Sequence, residues 1–112
     1  MPSALGAIAA FDVRSLDDLT AAGVTSSVQL YSAAVTFAVT VASIGTNVVI
    51  RIEGSLDDTN WFNLDQNETD TTLTANGTYG YALSGCPVKY LRLRLVSLSG
   101  GTPTVSSKVG AL

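Results

Sequence analysis

VVIRIEGSLDDTNWFNL, residues 48–64, decides the fold class of this chain. Val48, Ile50 and Ile52 fall on one face of an extended segment and Val49, Arg51 and Glu53 on the other, the period-2 alternation of a half-buried strand. Gly54-Ser55 and Asp57-Asp58-Thr59-Asn60 then supply the residue types that tight turns select, and Trp61, Phe62 and Leu64 open a second, aromatic strand. A strand, a polar turn and a strand therefore stand side by side.

The same alternation continues on both sides of this stretch. Upstream, Val28 and Leu30 form a short alternation. Val35, Phe37, Val39 and Val41 then face one way, against Thr36, Ala38 and Thr40. Residues 43–47 read as a turn, which predicts two adjacent antiparallel strands. Downstream, residues 65–70 read as an exposed acidic loop and residues 71–73 as a weak strand. Asn76-Gly77 reads as a hairpin turn into Thr78, Tyr79, Tyr81 and Leu83. After the break at Ser84-Gly85-Cys86-Pro87, Leu91, Leu93 and Leu95 alternate with Tyr90, Arg92, Arg94 and Val96. Residues 99–103 turn the chain into a last strand over 104–109. About eight strands at spacings of roughly ten residues predict an all-β chain, a single-domain β-sandwich or barrel over residues 25–112. Residues 1–24 are Ala-rich and loosely patterned. They read as an N-terminal arm, with a short helical turn capped near Ser15 to Asp18 and ended by Gly23.

With 112 residues, the chain is long enough to bury one core without staples. Its surface is unusual: 46% of residues are hydrophobic and only 13% charged, about half the charge of an ordinary soluble domain. A neutral skin of Thr, Ser and Ala is easily desolvated and repels copies of itself weakly, which suits a protein packed against neighbours. The net charge is −3, and the six basic residues are Arg14, Arg51, Lys89, Arg92, Arg94 and Lys108. These are scattered, so no stripe exists for a nucleic-acid backbone. Arg92 and Arg94, two apart, share one face of their strand. No run reaches the ~18 apolar residues of a spanning helix, and the start lacks the basic region of a secretion signal. A soluble protein without a membrane partner is the expectation. The Asn-X-Thr triplets at Asn67 and Asn76 read as chance matches in a Thr-rich chain.

Residues suited to catalysis are scarce. There is no histidine and a single cysteine, Cys86, so no intrachain disulfide can form and the thiol reads as a small buried hydrophobe. No cofactor motif is present. Asp57, Asp58 and Asn60, with Asp65, Glu68 and Asp70, carry the oxygen ligands calcium prefers, yet the spacing fits no EF-hand and tight turns select the same residues. Glu53 with Asp57 or Asp58 is the sole carboxylate pair a glycosidase could use, and nothing supports it, so the chain is not expected to be an enzyme. Trp61 and Phe62 point to opposite faces. With Tyr79 and Tyr81 they suggest either core packing and subunit contact or an aromatic platform for a sugar.

GSLDDTNWFNL at residues 54–64, the strand before it, and KYLRLRLVSLSGGTPTVSSKVGAL at residues 89–112 resemble the small virion proteins of tailed bacteriophages of the capsid-decorating, or cement, type. In these, a G-S-x-D-x-T-N-W hairpin precedes a Y-x-R-L strand and a Gly-rich turn. The resemblance covers residues 35–112 and fails over the first 24; similar phrases also occur in tail-associated phage proteins. It implies a jelly-roll-like sandwich, assembled as a homotrimer on the outer surface of the capsid and bridging capsomers through the major capsid protein. Arm residues Ile8, Phe11, Val13 and Leu16 are then candidate shell contacts. Asp57, Asp58, Asn60 and Trp61 in the turn, and the Arg92/Arg94 face, are candidate shell or subunit contacts. A carbohydrate-binding or tail adhesin module, or a tail or connector component, is the alternative.

Overall fold

A computed structural model describes residues 12–31, 34–64, 69–83 and 88–111. Among these there is no helix. Eight strands form one antiparallel sheet: β1 (Asp12–Ser15), β2 (Gly23–Val24), β3 (Val28–Gln29), β4 (Val35–Ser55), β5 (Trp61–Asn63), β6 (Thr71–Leu73), β7 (Gly77–Leu83) and β8 (Tyr90–Ala111). The centre is a pairing of the two long strands, running from Val35↔Ala111 to Ser55↔Tyr90. Along the free side of β8 lie β1, β2 and β3 in turn, and along the free side of β4 lie β7, β6 and β5.

The sheet must curl, and chain length shows why. A straight strand of 22 residues would run ~70 Å at the usual rise, whereas the longest dimension of the molecule is 47 Å. Leu30 bonds Lys89 at one end of β8, while Val35 pairs with Ala111 at the other. The few residues between them reach at most ~18 Å, so the two ends of β8 are brought close together. The result is a curled half-barrel.

The bend has an identifiable site. Register shifts interrupt the β4–β8 ladder between Ala42 and Asn47, Ser43 takes φ 57°, and opposite it Gly100 and Gly101 take φ 70° and 61°. Extra residues in a ladder bend the strand and sharpen its twist. At the crossing the two backbones touch: a Cβ on Gly45 would run into the main chain of Gly100 and Gly101. Residues 43–47 and 99–103, expected as chain reversals, are thus the two matched sides of a single kink within β4 and β8. The expected hairpin at Asn76-Gly77 is also absent, because β6 and β7 follow one another along β4 and do not pair together. The short helical turn near Ser15 gives way to strand β1, and the Asp17 carboxylate accepts from Ser26 N and Oγ at 2.8 and 2.7 Å.

The inner face is the core that alternation predicts. Phe37, Val39, Val41, Val48, Ile50, Leu91, Leu93, Leu95 and Val105 are all buried in one apolar cluster, joined by Leu16 and Leu30 from the segment lining β8. Burial at this scale is the main favourable term in the fold. The position of Cys86 lies outside the described residues.

Candidate functional site

Outside the core, the densest chemistry sits on the outer face of the sheet where β4, β5 and β8 meet. Core-facing residues alternate with Arg51 and Glu53 on β4 and with Arg92 and Arg94 on β8. The ladder sets Glu53 opposite Arg92 and Arg51 opposite Arg94. Arg92 Nε donates to Glu53 Oε1 at 2.8 Å and Arg94 Nε to Oε2 at 2.9 Å, while Arg51 Nη1 lies 3.6 Å from Oε2. Glu53 is only 3% exposed. Burial alone would raise its carboxyl, but the hydrogen bonds and charges of Arg94 and Arg92 win and hold it below the usual carboxylate range.

The network extends sideways. Arg51 donates from Nε and Nη2 to the two oxygens of Asp70, at 2.7 and 3.2 Å, the forked geometry that guanidinium and carboxylate favour. That pairing also keeps Asp70 below its ordinary range. Asn63 Nδ2 adds a bond to Asp70 Oδ1 at 3.3 Å. On the other flank the Arg92 guanidinium lies over the Trp61 ring, 4.1 Å from its centroid, which ties the aromatic strand to the charged row.

The acidic turn serves its own backbone. Asp57 Oδ1 accepts from Thr59 N at 2.9 Å and Asn60 N at 2.8 Å, and its Oδ2 accepts from Asn60 Nδ2 at 2.7 Å. Ser55 Oγ donates to Asp57 Oδ1 and receives the amides of Asp57 and Asp58. These bonds, first those from Asn60, push the Asp57 carboxyl far below its usual value. Asp58, at φ 61°, accepts from Ser27 Oγ at 2.7 Å, pinning the turn to the segment beside β8. Among the described residues no three His, Cys, Asp or Glu side chains gather as a metal site. A recess of ≈ 170 Å³ opens between Ile50, Leu64, Tyr81 and Leu83, smaller than the ~300 Å³ at which ligand pockets begin.

Trp61, Arg92 and Arg94 are therefore brought together on one face, with Asp57, Asp58 and Asn60 in the adjoining turn. Of the arm residues, Val13 is 55% exposed and Leu16 belongs to the core, while Ile8 and Phe11 lie outside the described residues. In the sequence, Asp70 and Glu53 stand only as candidate calcium or glycosidase carboxylates; their pairing with Arg51, Arg92 and Arg94 did not emerge from it. The signal was the pair of same-face spacings Arg51/Glu53 and Arg92/Arg94, which acquires meaning only when the strands pair.

No protein-family model matches the chain, and no curated protein is significantly similar to it. Among solved structures, the crystal structure of the SPBc2 prophage-derived protein YomS is similar, with a TM-score of 0.61 at 12% identity over 93% of this chain and 97% of that one. At that identity the likeness is one of fold.

Proposed function

We propose that this protein is a structural component of a tailed-bacteriophage virion, of the capsid-decorating type, which holds neighbouring capsomers together from outside the head. The observation that carries this reading is the likeness of fold, across nearly the whole chain, to a prophage-derived protein, joined to the decoration-type phrases at residues 54–64 and 89–112. In this reading the two halves of the curled sheet act as the layers of a jelly-roll-like sandwich. The protein works as a homotrimer on the major capsid protein and performs no chemistry. The weakly charged surface supports it, since neutral faces are cheap to desolvate against a lattice. Trp61 and the Arg92/Arg94 row, rigidly braced by Glu53, are the side chains best prepared for such a contact, because little entropy is left to lose there.

Adding purified protein to heads that lack it tests the proposal. Saturable binding, three-fold density on the outer shell by electron microscopy, and raised resistance of the heads to heat are the expected results. Failure to bind heads, together with glycan binding that Trp61→Ala abolishes, would transfer the assignment to the adhesin reading.

A further inference from the structure

Strand β7 is an outer strand of the sheet. Its residues pair with Val35 to Val41 of β4 on one side, and among the described residues no backbone group pairs with its other side. Folded proteins ordinarily blunt such an edge with lysine, proline or a bulge, because its free amides and carbonyls are a template for another strand. GTYGYAL has none of these: it carries no charged residue and no proline, and its register with β4 is unbroken. Among the described residues, nothing blunts or covers this edge.

The partner is indicated by the order of residues. About Gly80 the strand reads nearly the same in both directions: small, Tyr, Gly, Tyr, small. Thr78, Gly80 and Ala82 are exposed on one face, and Tyr79 and Tyr81 are half-buried on the other. An antiparallel copy of the same strand, placed on a two-fold axis through Gly80, sets each Tyr79 opposite a Tyr81 and each Thr78 opposite an Ala82. Aromatic residues directly opposite one another favour pairing, and no like charges on the strand meet. A patch that complements itself in this way is what an isologous interface requires.

We propose that two copies of the chain join edge to edge through β7, antiparallel and centred on Gly80, so that one sheet continues across both molecules. The seam goes beyond the decoration reading, whose three-fold contacts would use other surfaces; a two-fold seam links one such assembly to the next.

A cysteine at the axis reads the seam directly. Gly80 does not use positive φ, and a Cβ added there meets nothing within 4 Å, so Gly80→Cys in a Cys86→Ser background is compatible with the fold. Opposed Cα atoms in an antiparallel pair are about 4.5–5.5 Å apart, within disulfide reach. Mild oxidation is expected to yield a linked pair of chains on a non-reducing gel, while Thr36→Cys in the same background stays single. By light scattering, the wild-type mass is expected to be an even multiple of the chain mass. Thr78→Lys with Ala82→Lys should halve it with an unchanged circular-dichroism spectrum. A mass of one chain, or of three, with no linked pair would overturn the seam. The three-chain result would leave the capsid proposal standing, whereas a linked pair that never binds heads would do the reverse.

Discussion

In the half of the sheet built from residues 35–42 and 104–111, the outward row is Thr36, Ala38, Thr40, Ser106 and Lys108. In the half built from residues 47–55 and 90–99 it is Arg51, Glu53, Arg92 and Arg94. Inward, the two halves are alike, rows of Val, Leu, Ile and Phe in one cluster. On its outer face the first half carries a neutral Thr40–Thr78 hydroxyl contact at 3.0 Å. The second carries a carboxylate that is 3% exposed among three guanidinium groups. Alternation alone is enough to build a core, but a buried charge needs partners delivered in register. The charged half is consequently the more specified and the more easily broken from outside.

Phe37→Ala tests whether the halves are one cooperative unit. Phe37 is fully buried, and its truncation should cost about 3–5 kcal/mol. Trp61, the one tryptophan, reports from the other half. Urea unfolding followed by its fluorescence and by circular dichroism should shift together; a Trp61 transition that stays put would mean that the halves unfold separately.

At the kink between them, Gly45→Ala forces a methyl group against the backbone of Gly100 and Gly101 and should cost about 1–3 kcal/mol, read as a lowered thermal midpoint. A stability equal to wild type would show that the two strands can slide past each other at the bend.

The contrast of outer faces is sharpened by Glu53→Gln. It leaves Arg92 and Arg94 without their anion and, allowing for the partial exposure of the arginines, should cost about 2 kcal/mol. Thr36→Ala on the neutral face should stay within ~0.5 kcal/mol. Equal effects from the two in chemical denaturation would erase the distinction.

The same network sets the response to acid. Glu53 and Asp70 titrate below their ordinary range in the folded chain, as does Asp57 in its turn. Their stabilisation is complete above the unfolded values near ~4 and is lost as pH falls through the lower folded ones. Thermal midpoints should hold level from neutrality to about pH 5 and then decline, and Glu53→Gln should flatten that decline.

The smallest effect belongs to the neutral half. Ser107 is buried, and its Oγ has no hydrogen-bond partner. Ser107→Ala removes an unpaid desolvation cost and should raise stability by up to about 1 kcal/mol; a clear loss would reveal a partner for the hydroxyl.

Phe37, Val39 and Val41, and again Leu91, Leu93 and Leu95, announced their buried face in the sequence because a strand's side chains alternate whatever it pairs with. The turn at Asp57 was equally legible, since Asp and Asn bond their own backbone locally. Misread were Ser43 to Asn47 and Gly100-Gly101. Turn-forming residues look the same whether the chain reverses or merely kinks, and here the kink is produced by two strands far apart in sequence bending at the same point.

Composition and period-2 alternation, both local properties, by themselves determined that the fold beyond the first 24 residues is all-β, which strand faces are apolar, and that the surface carries few charges. Only the tertiary structure decided that β4 and β8 run unbroken, that the sheet curls back on itself, and that Arg51, Arg92 and Arg94 converge on Glu53. Those outcomes depend on the register between segments some forty residues apart, which is set by chain closure and packing over the whole molecule.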